Sequence, residues 1–281
     1  MRCKLLALDI DGTLLNSQSQ LTARTIAAVR AASATGTKVC LVSGRRARSM
    51  VPYARELGIH DPLVCYNGGS VVLPDTLCSL HAACIPRAAV LPIIQAWEDA
   101  GISTFAFRNT SQPPDVYYSG HSDWPPQLNY IAHEADNVRQ VTSLVEEMDW
   151  DPLRVYMYHR EPLTRQAVAL AEPLLDQSSV RPIFTRHYDG SWFYELYSAQ
   201  ATKASGLQWL GQHFGVRREE IVAVGDHIND LDMISYAGLG VAMGNAQPEV
   251  KALADLVIGD HDQDGLADFI EATLLGQQGK S

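Results

Sequence analysis

Leu5-Leu6-Ala7-Leu8 is a short continuous apolar run that stops at Asp9-Ile10-Asp11-Gly12-Thr13. That pattern predicts a parallel strand buried on both faces. Thr22 to Ala34 then carries Ile26 and Val29 on one helical face, with Thr22 placed to cap the helix and Gly36 to stop it. Lys38–Val42 reads as a second strand, closed by Ser43-Gly44. A helix containing Pro52 follows to Leu57-Gly58, and Leu63–Tyr66 is a third strand closed by Asn67-Gly68-Gly69.

The same rhythm returns in the last third. Lys203–Phe214 reads as a helix and Ile221–Val224 as a strand ending in Gly225-Asp226. Leu231–Ala237 is a short helix, Leu239–Met243 a strand, and Pro248 opens a helix reaching Leu253. Leu256–Ile258 is a last strand and Leu266–Leu275 a closing helix. Strands alternating with helices, each strand ending in a polar turn, predict an α/β fold with a doubly wound, Rossmann-like parallel sheet.

The stretch from Pro86 to Gly190 has a different character. It is rich in Pro, Trp and Tyr, and Ile102–Phe107 and Leu153–Tyr158 show the period-two pattern of half-buried strands. It reads as an α+β domain inserted into the first: residues 86–190 form the insert, and 1–85 with 191–281 form the sheet domain. Tyr117, Tyr118, Trp124, Trp150 and Trp192 read as packing of this insert rather than as a platform for a ligand.

Composition narrows the function. At 281 residues and 46% hydrophobic, the chain can bury a large core without disulfides or a structural metal. The net charge of −10 argues against nucleic acid or an anionic membrane as a partner, since both attract a basic face. No run approaches the roughly 18 apolar residues of a membrane helix. The first apolar stretch is too short for a secretory leader, being broken by Asp9. Cys3, Cys40, Cys65, Cys78 and Cys84 form no CxxC pair and read as reduced, buried thiols, which suits a cytoplasmic protein.

In an open α/β sheet, ligands bind beyond the carboxyl ends of the strands. The residues there are Asp9 to Thr13, Ser43-Gly44, and Asp226, Asn229 and Asp230. Carboxylates gathered at one mouth raise one another's pKa, and a hard divalent cation with oxygen ligands relieves the repulsion. Mg²⁺ suits such a set because it keeps waters that a phosphate can replace. A hydroxyl and a glycine-turn amide from Ser43-Gly44, with Lys203, would then hold a phosphoryl group. A carboxylate beside it can attack phosphorus, and a second carboxyl two residues on can serve the leaving oxygen and then water.

These residues resemble the haloacid dehalogenase superfamily. Asp9-Ile-Asp11-Gly-Thr13-Leu-Leu is similar to its first motif, Leu41-Val-Ser43-Gly44-Arg45 to its second, Lys203 to its third, and Gly225-Asp226-His-Ile-Asn229-Asp230 to its fourth. Tyr66-Asn67-Gly68-Gly69, Gly240-Val-Ala-Met243-Gly244-Asn245-Ala246 and Asp264-Gly265-Leu266 extend the likeness to the Cof-type phosphatases. That subgroup carries a large α/β cap between its second and third motifs, where the insert lies here.

The resemblance implies roles. Asp9 would be nucleophile and Mg²⁺ ligand. Asp11 would be the general acid/base, giving the metal its backbone carbonyl, and Asp226 would complete the protein ligands. Ser43, Gly44, Lys203, Asn229 and the Ile10 and Gly12 backbone would hold the phosphoryl group, with Thr13 in support. Asp230 would orient Lys203 or a metal-bound water, unless it only caps the helix that follows. Asn67 would face the cap. His227 and Ala204 depart from the usual Asn and Gly of the family, which touches pocket shape rather than the functional groups.

The implied activity is a Mg²⁺-dependent phosphatase for small phosphorylated metabolites such as sugar phosphates. A phosphosugar mutase-type transferase and a non-catalytic phosphometabolite-binding protein are the alternatives. Other motifs lead nowhere. His133-Glu134 lacks the second His of a zinc-protease helix, Gly279-Lys280-Ser281 lacks the first Gly of a phosphate loop, and Gly238-Leu-Gly240 lacks the further Gly of a dinucleotide turn. The sequence names neither the ester nor the oligomeric state.

Overall fold

Four apolar residues with no exposed surface, Leu5–Leu8, form the strand at the heart of the fold. The computed structural model describes residues 3–121, 124–133, 136–186 and 190–276. The chain divides into two compact units, Met1–His81 with Thr202–Ser281, and Ala82–Ala201.

In the first unit a five-stranded sheet runs Leu256–Val257, Leu239–Ala242, Ile221–Gly225, Leu5–Leu8, Lys38–Leu41. All its pairings are parallel. Leu5–Leu8, Lys38–Leu41 and Ile221–Gly225 are apolar along most of their length because helices cover both faces of such a sheet. An isolated parallel bridge between Val42 and Val64 leads on to Leu63–Cys65, which hairpins into Ser70–Val72. The closing helix is a short α-helix, Gly265–Phe269, that widens into a π-helical segment over Ile270–Leu275. Burial of the cysteines is mixed: Cys40 and Cys65 are buried, Cys3 and Cys84 half-buried, and Cys78 exposed. All five are free thiols.

Register fixes the geometry that matters. Leu8 lies opposite both Val224 and Leu41. The three strands therefore end level, and the residues that follow each of them emerge side by side. Backbone contacts continue one step beyond the sheet, with the Asp9 N–H donating to the Val224 carbonyl at 3.0 Å and Val42 N–H to Leu8 at 2.9 Å.

The second unit is a six-stranded sheet in the order Val180–Arg186, Trp192–Ser198, Pro152–His159, Thr104–Arg108, Val116–Ser119, Val138–Gln140. Its pairings are antiparallel except the last. Helices Arg87–Asp99 and Glu161–Ala171 pack on one another and close a core that includes Ile94, Trp97, Ala106, Val155, Met157 and Leu196. Trp97 Nε1 donates to the Ala167 carbonyl at 2.9 Å, so its buried N–H is satisfied. The strand Trp192–Ser198, which the sequence division leaves with the parallel sheet, pairs with two strands of this unit. Hydrogen-bonded along both edges to strands of this unit, it belongs here, and the unit runs on to Ala201. Among the described residues no helix is long and apolar enough to cross a membrane. Glu134 and Gly279-Lys280-Ser281 lie outside the described residues.

Candidate active site

Asp9, Asp226 and Asp230 each present a carboxylate oxygen, all within 4.8 Å of one another. Positions more than two hundred residues apart meet because Leu5–Leu8 and Ile221–Gly225 are paired in register. Asp9 is 5% exposed and Asp230 fully buried. Buried carboxylates lose their hydration and repel one another, so a cation must stand among them.

Lys203 supplies the first. It is 1% exposed, opens the helix Lys203–Phe214, and donates from Nζ to Asp9 Oδ1 at 2.6 Å and to Asp230 Oδ1 at 2.5 Å. Thr202 sets its position: the Thr202 hydroxyl accepts from Ser205 N–H at 3.0 Å, while the Ser205 hydroxyl accepts from Thr202 N–H at 3.1 Å. This reciprocal cap fixes the first turn, and with it the direction of the lysine. Desolvation works against the buried ammonium, but Asp230 and Asp9 together hold it firmly protonated.

The other oxygen of Asp230 accepts from the Asp226 and His227 N–H groups at 3.0 and 2.9 Å. Asp230 therefore ties the strand exit to the lysine. It makes no side-chain cap on the helix Leu231–Tyr236.

One ammonium does not neutralise three carboxylates. Burial raises Asp9 well above its usual range, with Asp230 and Asp226 adding to the effect and Lys203 opposing it. Burial, then the charge of Asp230, pushes Asp226 up to about 7. Asp9 Oδ2 and Asp226 Oδ2 accept no hydrogen bond from the described residues, whereas Asp226 Oδ1 accepts from Thr13 Oγ1 at 3.1 Å. An all-oxygen donor set with two negative charges in excess fits a hard divalent cation. Gly12 shapes the same spot. Its φ of +78° and an added Cβ 2.4 Å from Asp226 Oδ2 leave room for glycine alone.

The remaining predicted residues line the neighbouring strand exits. Ile10 is buried, and its carbonyl receives the Leu14 and Leu15 N–H groups, closing the turn that holds Asp11 and Gly12. Ser43 is 2% exposed, and its hydroxyl accepts from Arg45 N–H at 3.2 Å. A Cβ on Gly44 would lie 3.1 Å from the Asn67 amide. Asn229 Nδ2 donates to Asn67 Oδ1 at 3.0 Å, joining the loops after two different strands. Tyr66, Asn67 and Gly68 all have positive φ (53°, 53° and 93°), a run of left-handed backbone that concentrates strain at this loop. Gly68 is needed there because an added Cβ would lie 1.8 Å from the Thr202 carbonyl. One loop thus sets both the Asn229 amide and, through Thr202, the lysine.

Asp11 stands apart from the buried group. Its carboxylate is half-exposed and accepts from Arg45 Nε at 2.8 Å and Nη2 at 2.6 Å. Two further side chains have no role in the sequence reading. Arg45 is one. Asn245 is the other: Nδ2 donates to the Gly12 carbonyl at 2.8 Å and Oδ1 accepts from His261 N–H at 3.2 Å, bracing the Asp11–Gly12 turn. Asn245 follows the Leu239–Ala242 strand, so the strand-exit rule reaches it too.

A parallel sheet with acidic, lysine and amide groups converging at its carboxyl edge marks an α/β protein with a site chemically suited to a phosphoryl group. The sequence pattern of the haloacid dehalogenase-like hydrolases matches residues 6–270, and the chain belongs to that family. It is similar to the 5-amino-6-(5-phospho-D-ribitylamino)uracil phosphatase YitU of Bacillus subtilis, 29% identical with 95% of this chain and 96% of that protein covered. It is also similar to the pyridoxal phosphate phosphatase YbhA of Escherichia coli, 28% identical with 98% and 100% covered. A haloacid dehalogenase-like hydrolase from Bacteroides thetaiotaomicron superposes with a TM-score of 0.79 at 26% identity, covering 96% of this chain and 99% of that one. Within the family the chain is an enzyme of the phosphatase class.

Proposed function

We propose that this enzyme hydrolyses small phosphomonoesters with Mg²⁺, through a phosphoryl group carried on Asp9. The observation that carries the reading is the buried triangle of Asp9, Lys203 and Asp230 with Asp226 alongside. It joins a nucleophile, a fixed ammonium and an uncompensated negative charge in one place.

Asp9 and Asp226 would hold the cation with their side chains, and Asp11 with its backbone carbonyl. Bound there, Mg²⁺ neutralises the excess charge and withdraws electron density from the phosphoryl oxygens. The chain's own groups do the rest. Lys203, Asn229, the Ser43 hydroxyl and the Gly44 and Gly12 backbone gather the phosphoryl oxygens. A carboxylate oxygen of Asp9 attacks phosphorus, the bond from phosphorus to the ester oxygen breaks, and Asp11 gives that oxygen its proton. Water then attacks the acyl phosphate, passes its proton to Asp11, and releases phosphate with Asp9 restored. Thr13 steadies Asp226, Asp230 steadies Lys203, and Asn67 steadies Asn229.

Residues 82–201 we read as the cap that chooses the leaving group. The two relatives act, by their names, on a ribityl phosphate and on pyridoxal phosphate. Both are primary-alcohol phosphates of a nitrogen heterocycle, so that class joins sugar phosphates at the head of the substrate panel.

The test is phosphate release from such a panel with and without Mg²⁺, for the parent and for Asp9→Asn. Quenched parent enzyme should carry the mass of a phosphoryl group on the peptide containing Asp9. An Asp9→Asn variant that turns over at the parent rate ends the assignment. An isomeric phosphate in place of free phosphate makes the enzyme a mutase. Binding without turnover makes it a binding protein.

A further inference from the structure

We propose that Arg45 is a positioning residue for the reaction, holding the Asp11 carboxyl where it serves the leaving oxygen. The inference rests on the reading of Asp11 as general acid/base. Arg45 grips both carboxylate oxygens, Nε to Oδ2 at 2.8 Å and Nη2 to Oδ1 at 2.6 Å. The planar guanidinium matches the carboxylate edge to edge, which fixes orientation as well as distance. Among the described residues these are the only hydrogen bonds the Asp11 side chain makes.

The arginine is itself anchored. Its Nη1 reaches the Tyr53 hydroxyl at 3.4 Å, its guanidinium lies 5.3 Å from the Tyr53 ring centre, and its own N–H is bound by Ser43 Oγ. The chain Tyr53–Arg45–Asp11 thus links the helix Ala47–Leu57 to the turn after the first strand. The bidentate, anchored pair fixes the carboxyl in orientation as well as place, and its partial exposure leaves Asp11 free to release one nitrogen at each turnover.

Leaving groups separate aim from structure. Nitrophenolate departs without a proton, whereas the more basic phenolate of phenyl phosphate profits from one. With Arg45→Met, kcat/KM, which reads only the steps up to departure of the ester oxygen, should fall about tenfold on phenyl phosphate, part of the 10²–10⁴-fold that a general acid supplies, and by less than about threefold on nitrophenyl phosphate. Inhibition by inorganic phosphate should stay near the parent value. Arg45→Lys, which keeps one donor, should recover part of the phenyl phosphate rate. In an Asp11→Asn background, adding Arg45→Met should cost nothing further.

Equal losses of kcat/KM on the two esters, a loss of inhibition by inorganic phosphate, or no loss at all would each overturn the proposal. The middle outcome would make Arg45 a substrate ligand. Asp11→Asn distinguishes the levels. If it is as active as the parent on both esters, the acid/base reading itself falls. If it is impaired while Arg45→Met is not, the positioning role alone falls.

Discussion

Lys203 and Asp230 form an ion pair in which neither side chain reaches solvent, 1% and 0% exposed. Such a pair is held by mutual need. Either partner alone would be an uncompensated charge in a medium that solvates it poorly, and removing one costs about 3–5 kcal/mol.

Lys203→Met should therefore abolish turnover and also destabilise the fold by about that amount near pH 8. Asp9, whose carboxyl burial already holds above its usual range, can relieve the repulsion by taking up a proton, so the loss should shrink as the pH is lowered toward 5. Chemical denaturation of parent and variant across this range checks the expectation, and a pH-independent difference would contradict it.

Asp226 predicts a pH slope of definite sign. Its folded pKa is raised from 3.8 to about 7 by burial and by Asp230. The folded state thus keeps a proton that the unfolded chain has lost, and the contribution to stability is full below about pH 4, falling as pH rises to about 7. Without divalent cation, Asp226→Asn should flatten the slope in this window. Mg²⁺ should raise the parent's Tm at pH 7.5, with proton release greater at pH 6 than at pH 8, and should leave Asp226→Asn nearly unmoved.

Gly68→Ala places a methyl group 1.8 Å from the Thr202 carbonyl at a φ of +93°. Left-handed strain alone costs of order 1–3 kcal/mol, and the collision adds to it. Because Thr202 caps the helix that aims Lys203, kcat should fall together with Tm. A stable variant with parent kcat would show that the loop does not set the lysine.

Asn67→Gly keeps the left-handed backbone and deletes the acceptor of Asn229. One lost hydrogen bond of about 1 kcal/mol should weaken inhibition by inorganic phosphate about fivefold. Asn67→Asp, which retains an oxygen at the same place, should bind phosphate closer to the parent. Unchanged phosphate inhibition in Asn67→Gly would detach Asn67 from the phosphate site.

Strand–helix alternation was legible in the order of residues, because a strand buried on both faces must be written as an uninterrupted apolar run, as in Leu5–Leu8 and Ile221–Val224. That order also marked the acidic and glycine turns, since a ligand site at strand ends needs Gly12 and carboxylates immediately after the run. Tertiary structure alone decided that Asp9 meets Asp226, because register between strands is a property of pairing and leaves no trace in local spacing. The same holds for Arg45 on Asp11 and Asn67 on Asn229, whose partners are 34 and 162 positions away. It holds as well for the strand Trp192–Ser198, whose aromatic run suits either sheet until its neighbours are known. Side-chain partners at long range are chosen by the folded backbone, and residue type announces only what each can bind.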